Sequence, residues 1–209
     1  MGSSFNEEAE APEFENLASI AENLVYRLPG CTDVMIRKTI ASVYRDFCKR
    51  TCVLKGRRRI ELSHDQRCYS VCSCSDGFIV DCVIGVTFEN GRELCEGEYS
   101  LHDGKITFPE RVLPVCGEIR TVEVEFVEIP ELGSEKIPRD LLNKYGDAIA
   151  SGVLMQLMSM TGRPWSDPQQ AALEARLYEN ALTEFRVRHH AGGQMTSGKM
   201  NFMNKGLVI

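Results

Sequence analysis

The fold is decided by residues 137–168, which read IPRDLLNKYGDAIASGVLMQLMSMTGRPWSDP. Pro138 suits the first position of a helix, and apolar residues then recur every three or four positions until the Gly-Arg-Pro sequence that ends in Pro164. After this break, Ser166 and Gln169 have the spacing of a capping box, in which the serine oxygen accepts a hydrogen bond from the glutamine amide. The stretch therefore predicts two helices joined by a tight turn.

The turn is predicted to be structural, and its residues are Gly162, Pro164, Trp165 and Ser166. Trp165 is the only tryptophan, and we expect its ring to fill one end of a helical core. Gly152 costs the preceding helix about 1 kcal/mol relative to alanine, which predicts the close approach of another helix there. The helix after the turn is expected to fade by His190 and to bury apolar residues at steps of four: Leu173, Leu177, Ala181 and Phe185.

Two more helices are predicted in the first quarter of the chain. The first ends before Pro29, and its apolar stripe is Phe14, Leu17, Ile20, Ala21, Leu24 and Leu28. The second runs from Thr32 or Asp33 to about Cys52, with the apolar face Ile36, Ile40, Val43, Tyr44 and Phe47. A short turn between them makes an antiparallel helical hairpin.

Between the two helical pairs the hydrophobic period changes to that of strands. Alternating segments such as 121–127 are separated by Asp76-Gly77, Asn90-Gly91 and Asp103-Gly104, dipeptides that favour tight hairpins. The sequence thus predicts an α+β fold, in which a four-helix bundle carries a small antiparallel β insert and an extended C-terminal arm. The predicted boundaries are an acidic segment at 1–13, a helical hairpin at 14–54, the β insert at 55–130, a second helical hairpin at 131–190 and the arm at 191–209.

Composition and charge exclude several classes of protein. With 209 residues, 43% hydrophobic and 26% charged, the chain has the profile of a soluble globular protein, and no apolar run is long enough to span a membrane. The net charge is −6, yet no acid follows Glu184, so the C-terminal end is basic. This asymmetry favours contacts between copies at least as well as contacts with nucleic acid.

Nine cysteines make up the unusual part of the composition. Their odd number, without a secretory signal, predicts free thiols in a reducing compartment. The weak metal-site candidates, together with His64, are Cys68, Cys72, Cys74 and Cys82. Their spacing lacks the paired Cys-x2-Cys knuckles of structural zinc sites, so we expect buried thiols that pack as small apolar side chains.

No catalytic motif is present in the sequence. The four histidines share no motif with a cysteine or serine, and phosphate-binding loops are lacking. Glu123 and Glu125 alternate on a predicted strand, which favours a solvated face over an acid–base pair. We therefore expect no enzymatic activity and no cofactor.

Two further segments are candidates for binding. A basic loop is predicted between the second helix and the first strand, at Lys55, Arg57, Arg58 and Arg59. It could contact DNA or an acidic partner patch, although a solvated loop or salt-bridging interface explains it better than sequence-specific recognition. The glycine-rich arm is expected to order on a partner or to fray, and its apolar side chains are Met195, Met200, Phe202, Met203, Leu207, Val208 and Ile209.

The helix at 36–51, the β insert, the Ala-Ile-Ala-Ser-Gly step at 148–152 and the turn at 162–168 together resemble the head–tail connector (adaptor) proteins of tailed bacteriophages. The resemblance covers roughly residues 33–189, with Arg163 where the family commonly has lysine.

This resemblance implies a structural protein of the virion, made in the host cytoplasm and placed at the head–tail interface. Copies would form a ring, by family a dodecamer, between the portal protein and the tail or nozzle proteins. Double-stranded DNA would pass through the centre without sequence-specific contact, and the arm would bind the portal or a neighbouring subunit. The alternative is a cytosolic zinc- or thiol-containing binding module or enzyme.

Overall fold

The α+β class is confirmed by a computed structural model, which describes residues 13–73, 75–95 and 97–192, with side chains to residue 188. Four helices and three small antiparallel sheets occur within these ranges. In chain order the elements are β1 (Phe14–Asn16), α1 (Ala18–Val25), α2 (Asp33–Thr51), β2 (Lys55–Leu62), β3 (Cys68–Ser70), β4 (Phe78–Phe88), β5 (Ser100–His102), β6 (Lys105–Thr107), β7 (Arg120–Pro130), β8 (Lys136–Pro138), α3 (Arg139–Met158) and α4 (Pro168–Gly192).

The helices from both ends of the chain share one hydrophobic cluster, here named the helical core. The prediction for α2 is confirmed, since all five residues of its apolar face are buried. Against them pack Ile149, Val153 and Leu157 of α3 and Tyr178 and Leu182 of α4. The core extends to the end of the β insert through Ile129 of β7.

The close approach predicted at Gly152 is confirmed. A Cβ atom added there would lie 2.6 Å from Cγ1 of Val43 and 3.1 Å from the ring of Tyr178. Real Cβ contacts are not this short, so α2 and α4 pack on α3 at a distance that only glycine permits.

The face predicted for α4 is wrong in its first half. Leu173 and Leu177 are 52% and 50% exposed, whereas Tyr178, Leu182 and Phe185 are buried. Steps of four residues drift by about 40° per step around a helix of 3.6 residues per turn, so Leu173 and Phe185 do not share a face. The buried stripe instead consists of Ala171, Glu174, Tyr178, Leu182 and Phe185.

The first predicted helix begins four residues late. Residues 14–16 form β1, which pairs antiparallel with β8 instead of continuing α1 towards the N-terminus. Arg139 fixes this strand, because its guanidinium binds Glu13 and Glu15 and its backbone amide donates to the Glu13 carbonyl. The side chain of Asn16 then accepts a hydrogen bond from the Ala18 amide, and α1 starts there.

Two helix starts also differ in detail from the prediction. Pro138 is the last residue of β8 and precedes α3, which begins at Arg139. At α4 the capping side chain is Asp167 and not Ser166, since its Oδ1 accepts hydrogen bonds from the amides of Gln169 and Gln170 at 3.1 and 3.0 Å.

The β insert contains two three-stranded sheets, β2-β7-β4 and β3-β6-β5, with a hydrophobic cluster of their own. The turn at Asp103 and Gly104 joins β5 to β6, and both residues have positive φ, as predicted for this hairpin. The strand β4 is eleven residues long, and register shifts at Asp81 and Ile84 interrupt its alternation.

Candidate functional surfaces

The turn between α3 and α4 is a packing element. Trp165 is buried at one end of the helical core, and the guanidinium of Arg163 lies 5.9 Å from the centre of its ring. Gly162 has a φ of +72°, which favours glycine, and Pro164 packs against Gly30 of the turn between α1 and α2. These contacts support a structural role for the turn.

The sequence did not predict an ion pair beside this turn, between the half-exposed Arg27 and the buried Glu174. Glu174 is almost fully buried on α4, and its carboxylate accepts hydrogen bonds from Arg27 and Gln170. Burial alone would raise the pKa of Glu174, but the hydrogen bonds from Arg27, Ser151 and Gln170 lower it overall. The sequence does contain one indication of this burial, because Glu174 is four positions before Tyr178 and therefore lies on the same face of α4.

The predicted basic loop is wrong in its secondary structure, because Lys55, Arg57, Arg58 and Arg59 all lie in the strand β2. Residues on one face of this strand pair across to β7, with Arg57 opposite Glu125 and Arg59 opposite Glu123.

Ion pairs join these two strands. The guanidinium of Arg57 lies 3.6 Å from Glu125 and 3.8 Å from Glu123, and that of Arg59 lies 3.8 Å from Glu123. Glu123 and Glu125, which were predicted to be solvated, thus balance the charges of Arg57 and Arg59. This balance makes the two arginines poorly suited to bind phosphates.

An open cavity of about 520 Å³ lies on this charged face of the β2-β7-β4 sheet. Its charged lining comprises Arg57, Arg59, Glu89, Glu93, Glu123 and Glu125, so carboxylates outnumber guanidiniums. The half-exposed side chain of Ile84 contributes an apolar part of the wall. The sequence pattern does not predict that Glu89 and Glu93 lie here, because the turn after β4 folds them back over the sheet.

The cysteines do not pack as predicted. Of those in the described ranges, Cys48 is buried, Cys31 and Cys52 are half-buried, and the exposed ones are Cys68, Cys72, Cys82, Cys95 and Cys116. The expectation of buried thiols is wrong for the β insert, because Cys72, Cys95 and Cys116 lie in loops and Cys68 and Cys82 lie at exposed positions of their strands.

The zinc candidates are not brought together in the described part of the chain. Cys68 lies on β3, Cys72 follows it, and Cys82 lies on β4 of a different sheet, while Cys74 is outside the described residues. Nowhere in the described ranges do three residues of the His, Cys, Asp and Glu types come close enough to hold a metal ion.

Cys48 is the buried thiol of the helical core. Burial raises its pKa to about 12, against a smaller lowering by the neighbouring Tyr44 side chain. A thiol held protonated in this way is a weak nucleophile.

Several predicted binding residues fall outside the described ranges: Met195, Met200, Phe202, Met203, Leu207, Val208 and Ile209. Residues 1–12 of the acidic segment do so as well. A search of the described helices found none with the length and apolarity needed to cross a bilayer. Compared with protein-family models and with curated proteins, the chain matches no family model and no curated protein.

Proposed function

We propose that this chain is a structural virion protein of a tailed bacteriophage, a ring adaptor that joins the portal to the tail. The observation that carries the proposal is the union of helices from both sides of the β insert in one core, at the glycine contact of Gly152. The two segments that carry the family resemblance, 36–51 and 137–168, meet at this contact.

In this proposal the four helices form the family's bundle. Asp46 accepts a hydrogen bond from Tyr178, and Arg50 binds Glu179, so α2 and α4 advance together towards the β insert. The helix α3 packs between them in the opposite direction. The β insert then projects from one end of the bundle, as a separate unit with its own core.

Exposed apolar side chains support assembly with other copies or with neck proteins. Leu173 and Leu177 form an uncovered pair on α4, and Val115 and Ile119 stand out on a loop of the β insert. Contiguous exposed apolar patches commonly mark interfaces, and each pair is a candidate for part of one. By the family resemblance, a dodecameric ring would contact the portal above and tail or nozzle proteins below, and the arm would strap onto the portal.

Double-stranded DNA would pass through the ring without sequence-specific contact, and the chain would perform no chemistry. The pairing of Arg57 and Arg59 with glutamates fits this role, because a channel that lets DNA slide must not hold phosphates tightly.

The test is the composition and imaging of purified particles of the virus that encodes the chain. Mass spectrometry should detect the protein in mature particles, and electron cryo-microscopy of the neck should place copies of this fold in a ring between portal and tail. Absence from the particle, or density that accepts the fold elsewhere, would overturn the proposal.

A further inference from the structure

We propose that residues 193–209 dock on the acidic cavity of the β2-β7-β4 sheet of their own chain. The proposal concerns the isolated protein and does not depend on the adaptor function. It is argued from where α4 ends, from the sheet face on which the cavity opens, and from the charges of the two partners.

The helix α4 ends beside the β insert. The ring of Phe185 lies 6.3 Å from that of Phe47, which is four positions before the end of α2 at Thr51, so the last turns of α4 lie near the junction of α2 and the sheet. Gly192, the last residue of α4, follows Arg186 by about 9 Å of helix. The chain therefore leaves the helical core at the sheet and not at the distant turn near Trp165.

The cavity opens on the same face of the sheet that the helices cover. Along β7, side chains alternate, so Glu123, Glu125, Val127 and Ile129 share one face. Val127 and Ile129 are buried, Ile129 within the helical core, whereas the two glutamates line the cavity. Glu125 lies four positions before Ile129, a distance of about 14 Å along the strand.

The segment is long enough for this path. Lys199 comes seven positions after Gly192, and an extended chain spans about 3.3 Å per residue, so Lys199 can reach roughly 23 Å from the end of α4. This reach exceeds the strand length of about 14 Å between Ile129, in the helical core, and Glu125, at the cavity.

Charge and side-chain type also match. The cavity has four carboxylates and two guanidiniums, and within the described residues no ion pair involves Glu89 or Glu93. Residues 193–209 contain Lys199 and Lys205 and no acid. Their methionines are flexible apolar side chains that adapt to irregular surfaces such as the wall around Ile84.

The experiment uses the full chain at low salt, with a carbodiimide that couples lysine amines directly to carboxylates. Mass spectrometry of an equal mixture of ¹⁴N- and ¹⁵N-labelled protein should find Lys199 or Lys205 joined to Glu89, Glu93, Glu123 or Glu125 in same-isotope pairs only. Mixed-isotope pairs would overturn the proposal in favour of docking on a second copy, and no such links would overturn docking altogether.

Limited trypsin digestion gives an independent readout. Cleavage after Lys199 should be at least about fivefold slower than in a synthetic peptide of residues 193–209, since cleavage follows the undocked population. The variant E89Q/E93Q should remove most of this protection, as should 0.5 M salt. The matched variant E110Q/E118Q removes the same charge elsewhere on the β insert and should leave it intact. Docking would be contradicted if the parent protein, the parent in 0.5 M salt, both variants and the peptide were all cleaved at the same rate.

Discussion

The helical core and the β insert differ in where their chemistry lies. In the helical core, aromatic rings fill the interior, with Phe47 in contact with Tyr145, Tyr178 and Phe185. In the β insert, charged pairs and exposed thiols lie on the outside of a smaller apolar cluster. Because the larger apolar cluster belongs to the helices, we expect them to supply most of the stability, whereas the charged groups of the sheet lie at the surface and should contribute little.

The largest expected effect tests the helical side of this comparison. Trp165→Ala removes a large buried ring at the end of the helical core and should destabilise the fold by about 3 to 5 kcal/mol. Urea denaturation followed by circular dichroism measures the change. The matched control is Ile119→Ala on the β insert, which is 70% exposed and should cost under about 0.5 kcal/mol. Similar losses for both variants would remove the contrast between the two regions.

The next effect tests the glycine contact. Gly152→Ala places a methyl group 2.6 Å from Val43 and should cost about 1 to 3 kcal/mol, although alanine is the better helix former. In the same helix, a Cβ on Gly146 would lie 3.4 Å from Leu142, so Gly146→Ala should be close to neutral or stabilising. In a Val43→Ala background, Gly152→Ala should cost less than it does in the parent protein, because the contacting Cγ1 is gone. Stabilisation by both glycine replacements would contradict the tight packing.

The sequence predicted the helical side more fully than the sheet side. The apolar stripe of α2 could be predicted because it follows a single 3.6-residue period along a long helix. The close approach at Gly152 could be predicted because a glycine in the middle of such a helix is otherwise unfavourable. The strand β1 was not, because its pairing with β8 and its contact with Arg139 join residues more than a hundred positions apart.

The candidate surfaces were harder still to predict. The arginines at 57 and 59 were identified as a basic run, but only the strand register reveals that Glu125 and Glu123 lie opposite them. The turn after β4 forms part of the cavity wall. The pattern of hydrophobic and polar residues along the sequence does not show where this turn places Glu89 and Glu93. Sequence therefore identified the charged residues without identifying their partners.

A smaller effect concerns the ion pair of Glu174, which makes the stability of the helical core depend on pH. The folded-state pKa of Glu174 is lowered, so its contribution to stability is complete above the unfolded value of about 4.3 and is lost as the pH falls through the folded-state pKa. Glu174→Gln should destabilise the protein by about 1 to 2 kcal/mol at pH 7. It should also flatten the fall in stability below pH 4.3. Urea midpoints from pH 7 to pH 3 measure both, and parallel pH profiles for variant and parent would contradict the assignment.

The smallest effect tests the sheet side. Arg59→Ala removes an exposed cross-strand partner of Glu123 and should cost only about 0.2 to 1 kcal/mol, because solvent screens such pairs. The loss should shrink in 0.5 M salt, since added ions weaken the pair in the parent protein as well. Arg58→Ala is the control, as Arg58 lies on the same strand and faces Val124 across the ladder. If the Arg59 variant lost several kcal/mol, the charged face would be part of the protein's stability, and the contrast between a stabilising helical core and a weakly contributing charged sheet surface would fail.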